Sequence, residues 1–154
     1  MVADRSKTLR IPRRGEDVGF VTGEVRLENA LDVLGVAPSG WGPARERQMD
    51  LDILFDTGAS SICLPASVIA KLRLPVQDTV AIRTARGIGE ARVFGLLRVT
   101  IGGRSRIVNC LELPDDARPL FGVVEMQALG VAIDVDAERF ELLPDSGADT
   151  YILA

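Results

Sequence analysis

Histidine is absent from this 154-residue chain. That absence removes the Ser-His-Asp and Cys-His routes to nucleophilic catalysis, and with them most zinc sites. Cysteine is scarce: Cys63 and Cys110 stand alone, too few for a disulfide framework. They read as small hydrophobes in a reducing, cytoplasmic setting. No run approaches the ~18 apolar residues that a membrane span requires, so no membrane partner is expected. Residues 1–14 carry Arg5, Lys7, Arg10, Arg13 and Arg14 without an apolar centre, which excludes a secretory signal. This basic arm is short and the whole chain has a net charge of −4, so nucleic acid is not an expected partner either. Gly87 and Gly89 lack the rest of any phosphate-cradling fingerprint, and a strand pattern comes after them where a helix would be needed. Neither a metal nor an organic cofactor is expected.

What is present is an ordinary globular composition, 47% hydrophobic and 26% charged, in a length that suits one domain with a sizeable core. Three segments are expected: a basic and flexible 1–17, a folded domain over 18–143, and an acidic tail over 144–154. Val18, Phe20 and Val21, then Glu24 to Leu27, read as one or two strands. Residues 36–48 form a loop by composition. Its Trp41 is either a binding aromatic or, more commonly, a side chain that pins its loop to the core.

The informative stretch is 51–60, Leu-Asp-Ile-Leu-Phe-Asp-Thr-Gly-Ala-Ser. Leu51, Ile53 and Phe55 alternate with Asp52, Leu54 and Asp56, the period of a strand packed on one face at least. Asp56 then falls where the strand ends, held by the sheet and expected to lie open to its surroundings. Asp-Thr-Gly alone is three common turn residues; the lead-in strand and the matching segments downstream give it weight. Ile62 and Leu64 suggest a short strand, 65–73 a short helix with Pro65 in its first turn, and 79–84 another strand. Residues 85–91 make a glycine-punctuated tip, 92–101 a long strand, Gly102–Gly103 a hairpin turn, and 104–113 its return. Leu120 and Phe121 again run into a glycine, Gly122. A short helix over 123–129 comes next, closed by Gly130, and then strands over 131–135 and 139–143. Many short strands with one or two brief helices mean an all-β barrel or sandwich.

These pieces together resemble the retropepsin-like aspartic proteases, the single-lobe relatives of pepsin. The resemblance is carried by Leu54–Ser60, by the Gly-rich 86–91, and by Leu120–Gly122 with its helix and Leu129–Gly130, in the family's order. It implies a closed β-barrel half-lobe and an aspartic endopeptidase acting on a polypeptide. It also implies a homodimer, because each copy brings one catalytic carboxylate. Asp56, Thr57 and Gly58 would be the catalytic triplet. Ala59, Ser60, the flap residues Arg86, Gly87, Ile88, Gly89 and Glu90, and Leu120, Phe121 and Gly122 would meet the substrate. A catalytically inactive peptide-binding or dimerisation module is the alternative. The brace pair of the viral enzymes, an Asp and an Arg, is replaced by Ser60 and Val123. The tail Asp145–Ser146–Gly147–Ala148 echoes the first motif, but only 146–154 come after Asp145, leaving no room for a second half-site. A tail or an interface strand is the better reading.

Pepsin-like lobes carry Ser directly after the motif glycine, where this chain has Ala59. One donor to the ionised carboxylate is thereby missing, which predicts a mildly acidic optimum. A rate–pH profile of peptide hydrolysis checks this, and a peak at pepsin's strongly acidic extreme would overturn it.

Overall fold

Odd-numbered residues from Val21 to Asn29 are nearly all buried and even-numbered ones face outward, so the segment Val21–Asn29 is a strand, β1. This computed structural model describes residues 20–144. Val18, the basic arm and the motif echo after Pro144 lie outside the described residues. Of the one or two strands expected at the start, the described residues hold this one, followed by a helical turn, α1 (Ala30–Val33). Two 3-10 turns, Ser39–Trp41 and Ala44–Arg47, lead into β2 (Gln48–Phe55), followed by β3 (Ile62–Pro65), α2 (Ala66–Leu72), β4 (Val76–Thr84) and β5 (Gly87–Ile101). After them come β6 (Arg104–Leu113), β7 (Leu120–Phe121), α3 (Val123–Leu129), β8 (Val131–Asp134) and β9 (Arg139–Leu142).

The large sheet runs β1-β2-β7-β3-β6-β5-β4, and β1 also pairs with β5. The hydrogen-bonded order thus returns to its start, with β4 left outside the ring as the partner of β5's outer half. Tertiary pairing explains where elements outrun their sequence signals. β2 begins at Gln48 because Glu28 of β1 continues the ladder to it. β5 begins at Gly87 because Thr84 pairs with Gly87 across the turn Ala85–Arg86, so the glycine-rich stretch is strand and only that turn is tip. Pro65 caps α2 from the last position of β3 instead of sitting in its first turn. Gly102 and Gly103, with φ of 54° and 80°, form the expected hairpin turn.

The ring encloses Val25, Leu27, Ile53, Phe55, Ile62, Leu64, Leu97, Val99 and Phe121. Phe55 meets Phe121 edge-on with ring centroids 5.2 Å apart, and Phe140 of β9 reaches Phe55 at 5.1 Å. The β8–β9 hairpin is therefore a cover on the core next to the end of β2.

Two buried polar side chains fasten the periphery. Arg47, almost fully buried, holds Asp32 with two bonds of 2.8 and 2.7 Å and donates to the carbonyls of Trp41 and Gly42. Its guanidinium lies 5.0 Å from the Trp41 ring, and that of Arg73 5.5 Å, so Trp41 is a pin for its loop. Asn29 caps α1 by accepting the Leu31 N–H at 2.9 Å. It also donates to the carbonyls of Leu72 and Arg73 at 2.9 and 3.2 Å, joining the start of α1 to the end of α2.

Replacing Asn29 by Ala removes a cap and strands the Leu72 and Arg73 carbonyls, at a cost of about 2–4 kcal/mol. Urea unfolding measures it, and an unchanged midpoint would contradict the double role.

Candidate active site

The end of β2 is not free to wander. Leu54 and Phe55 pair in parallel with Leu120 and Phe121 of β7, which is wedged between β2 and β3. The ladder continues one step beyond the strand, where the Asp56 N–H donates to the Phe121 carbonyl at 3.0 Å. Asp56 is thus positioned by main-chain bonds on the residue before the second motif's glycine. The chain then doubles back. Gly58 N–H donates to Asp56 Oδ1 at 2.8 Å and Ala59 N–H to the Asp56 carbonyl at 3.1 Å.

Asp56 is only 3% exposed, so the expectation of an open carboxylate is corrected. The nearest part of that enclosure is local. Its own turn folds over it, and Gly58 packs so closely that a Cβ there would lie 3.1 Å from Oδ1. Oδ2 is buried and, among the described residues, has no hydrogen-bond partner. A buried carboxylate oxygen left unpaired is costly in a finished structure.

The loop over 56–62 is sewn to the start of α3. Val123 N–H donates to the Ala59 carbonyl at 2.8 Å and Val124 N–H to that of Ser60 at 3.3 Å. These N–H groups would otherwise be unsatisfied at the head of the helix. Gly122 permits the contact: a Cβ there would lie 2.4 Å from both N and O of Ser61. The far end of α3 is held as well, by Arg104 on the Leu129 carbonyl at 3.1 Å and Arg106 on that of Ala128 at 3.2 Å.

The sequence-derived residues therefore fall into two groups. Asp56, Thr57, Gly58, Ala59 and Ser60 are brought together with Leu120, Phe121 and Gly122 by backbone pairing. Phe121 and Gly122 are both buried, the phenyl ring against Phe55 and the glycine against Ser61, so they shape the loop from behind. Arg86, Gly87, Ile88, Gly89 and Glu90 lie elsewhere, on the hairpin of β4 and β5. There Ile88 is 78% exposed, an apolar side chain held out in water. Thr57, Gly58 and Ser60 are exposed beside the buried Asp56.

Sequence reading missed Glu125. It is 6% exposed, and its Oε2 also lacks a partner among the described residues. The signal was available: Glu125 occupies the same face of α3 as the buried Leu129, an apolar position filled by an acid. Burial pushes its carboxyl above the ordinary range, against the opposing pull of N–H bonds from its own backbone and from Ile62. Burial, with Glu125 and Asp56 nearby, also pushes the Cys63 thiol up to about 11, and Cys110 rises to about 12 for the same leading reason. Both cysteines are buried, protonated thiols, unsuited to nucleophilic attack. Among the described residues no group of His, Cys, Asp and Glu could hold a metal ion, and no helix is long and apolar enough to cross a membrane.

The described architecture is that of the retropepsins. The EIAV protease, solved in complex with the inhibitor HBY-793, superimposes with a TM-score of 0.53 at 17% identity, over 80% of this chain and 99% of that one. The family described as "gag-polyprotein putative aspartyl protease" matches residues 46–127, more than half of the chain. The chain belongs to this retropepsin-like aspartyl protease family. No curated protein matches it.

Gly122→Ala would drive a methyl group into the Ser61 backbone, where no flexible side chain can yield. We expect a loss of about 1–3 kcal/mol, toward the upper end, measured by thermal or urea unfolding; an unchanged midpoint would contradict the close docking.

Proposed function

We propose that the protein is an aspartic endopeptidase that works as a homodimer, with one Asp56 from each copy at a shared site. The observation that carries this reading is Asp56 itself, with one carboxylate oxygen tied to Gly58 N–H and the other buried and unpartnered among the described residues. A single chain supplies half of an acid–base pair. Two carboxyls brought within hydrogen-bond reach cannot both ionise, so one retains a proton, as aspartic-protease dyads in general do.

The ionised Asp56 takes a proton from a bound water while the water oxygen forms a bond to the scissile carbonyl carbon. The partner's Asp56 gives its proton to the carbonyl oxygen, so a neutral gem-diol forms without any covalent bond to the enzyme. On collapse, one diol hydroxyl returns its proton to a carboxylate, the C–N bond breaks, and the amine nitrogen takes a proton from the other carboxyl. Thr57 ties the two loops together across the dimer, and the Gly58 carbonyl accepts from the substrate backbone. Ala59 and Ser60 continue that edge. The hairpin tip Arg86–Gly87–Ile88–Gly89–Glu90 closes over an extended peptide by strand addition, with exposed Ile88 as the apolar contact that excludes water.

Hydrolysis of an unstructured casein-like substrate, blocked by a pepstatin-type inhibitor, tests the reading. Asp56→Asn should lower turnover by about 10²–10⁴-fold or more. Specific activity should rise with enzyme concentration where monomer and dimer exchange. A dimer that binds peptide without turning it over would assign the chain to the inactive modules instead.

A further inference from the structure

The hairpin of β4 and β5 is anchored in the sheet at one end only. Over residues 97–100, β5 lies between β1 and β6, and at Val93 and Phe94 it lies between β4 and β6. From Arg92 outward its ladder has β4 alone. Residues 79–84 and 87–92 therefore form a two-stranded arm, and the arm carries the tip that would cover a peptide. Such a ribbon has little stability of its own.

The root of the arm is irregular on both sides at the same level. The register of β4 on β5 shifts between Val76 and Asp78, and that of β5 on β6 shifts between Phe94 and Leu97. Leu96 lies there with φ of 57°, in the left-handed region that side chains rarely enter. The Gly95 N–H on the Pro75 carbonyl, at 2.9 Å, pins this root.

Arg92 is the first arm residue past the root, and it reaches back to the body. Its Nε donates to Glu112 Oε1 at 3.0 Å and its Nη2 to Oε2 at 2.7 Å, a two-pronged grip, while the guanidinium lies 5.2 Å from the Phe94 ring. Glu112 is well founded. It sits on β6 opposite Leu64 of β3, and Leu113 sits opposite Pro65. A cleft of about 510 Å³ separates arm from body, with Thr79 and Glu90 on one side, Ala66, Leu113 and Pro114 on the other, and the ion pair in its wall. The body side is tied together by the Ser67 N–H on Asp115 Oδ1 at 2.8 Å.

We propose that the Arg92–Glu112 pair is a latch between arm and body, and that its two residues are positioning residues for peptide binding. Its effect on substrate rests on the peptidase reading above; the latch itself can be read without any substrate.

The cleft leaves the arm room to swing, the paired irregularities give it a place to bend, and the fork selects one position. An exposed ion pair contributes little to overall stability. A two-stranded ribbon on a bent root needs little to be biased. With the fork closed the arm has one resting position. With it open the arm samples several, and the fraction of molecules ready to take a peptide falls, lowering apparent affinity by the same factor. The loop over 56–62 is untouched, so the loss falls on KM and leaves kcat in place. Because the Arg92 side chain is 56% exposed, salt weakens the latch as well.

The test compares wild type, Glu112→Gln, Arg92→Lys and the exchanged pair Arg92→Glu with Glu112→Arg. Kinetics use a short uncharged peptide taken from a site cleaved in casein, at low and at high salt. Amide hydrogen exchange of residues 79–92 is followed without peptide. Glu112→Gln should raise KM by about 2–5-fold at low salt, the range that a well-formed exposed pair is worth, with kcat unchanged. Its arm amides should exchange faster by a similar factor. Arg92→Lys, which keeps the charge but not the fork, should fall between, and the exchanged pair should recover part of the loss. High salt should raise the wild-type KM toward that of Glu112→Gln and leave the variant's own KM in place. Unchanged KM and unchanged arm exchange in Glu112→Gln overturn the latch and leave the peptidase reading intact. A fall in kcat at constant KM also overturns it, since that is the mark of a pair that only supports the fold. A wild type without turnover overturns the peptidase reading, and the exchange comparison then decides the latch by itself.

Discussion

The docking of residues 121–124 onto the loop over 56–62 is the constraint on which the site depends. Every residue of that short segment acts on the loop. Phe121 accepts the Asp56 N–H, Gly122 lets Ser61 approach within contact of its backbone, and Val123 and Val124 donate to Ala59 and Ser60. A loop after a strand ordinarily has backbone groups that water must satisfy. Here the head of a helix satisfies them, and the loop's polar groups in turn satisfy the helix's own orphan donors. The two motifs are one object in the folded chain, although more than sixty residues separate Asp56 from Gly122.

This arrangement makes sense of a chain that lacks the charged brace of the viral enzymes. At the two brace positions stand Ser60 and Val123, and both contribute through their main chains, as acceptor and donor in adjacent bonds of the same seam. A brace made of side chains would be weakened by salt and solvent; main-chain bonds beside a buried glycine are much less so. The cost is that rigidity now depends on close packing. The Phe55–Phe121 contact and the cover that Phe140 lays over Phe55 become part of what positions Asp56.

Much of this was legible beforehand where local rules dominate. The return strand Arg104–Leu113 and the helix Val123–Leu129 with Gly130 behind it arise from a two-glycine turn, an apolar spacing and a glycine end, and the folded chain has both at the expected bounds. Elements whose limits depend on a distant partner were less legible. β2 starts early because Glu28 extends the ladder to Gln48, and β5 starts at Gly87 because Thr84 lies opposite. Glycine's weak strand preference is overridden there by the pairing itself. Trp41, open to two readings, was decided by Arg47 and Arg73, which come to it from separate parts of the chain.

The amino-acid order by itself determined the family and the order of the motifs, because each is written in contiguous residues whose chemistry is local. Only the tertiary structure decided that Asp56 is enclosed, that one of its oxygens is left unpaired among the described residues, and that Glu125 is buried on the helix beside it. Burial and hydrogen-bond satisfaction are properties of what surrounds a group. Those surroundings come from β7, α3 and β3, brought together by a core that no single stretch of the sequence contains.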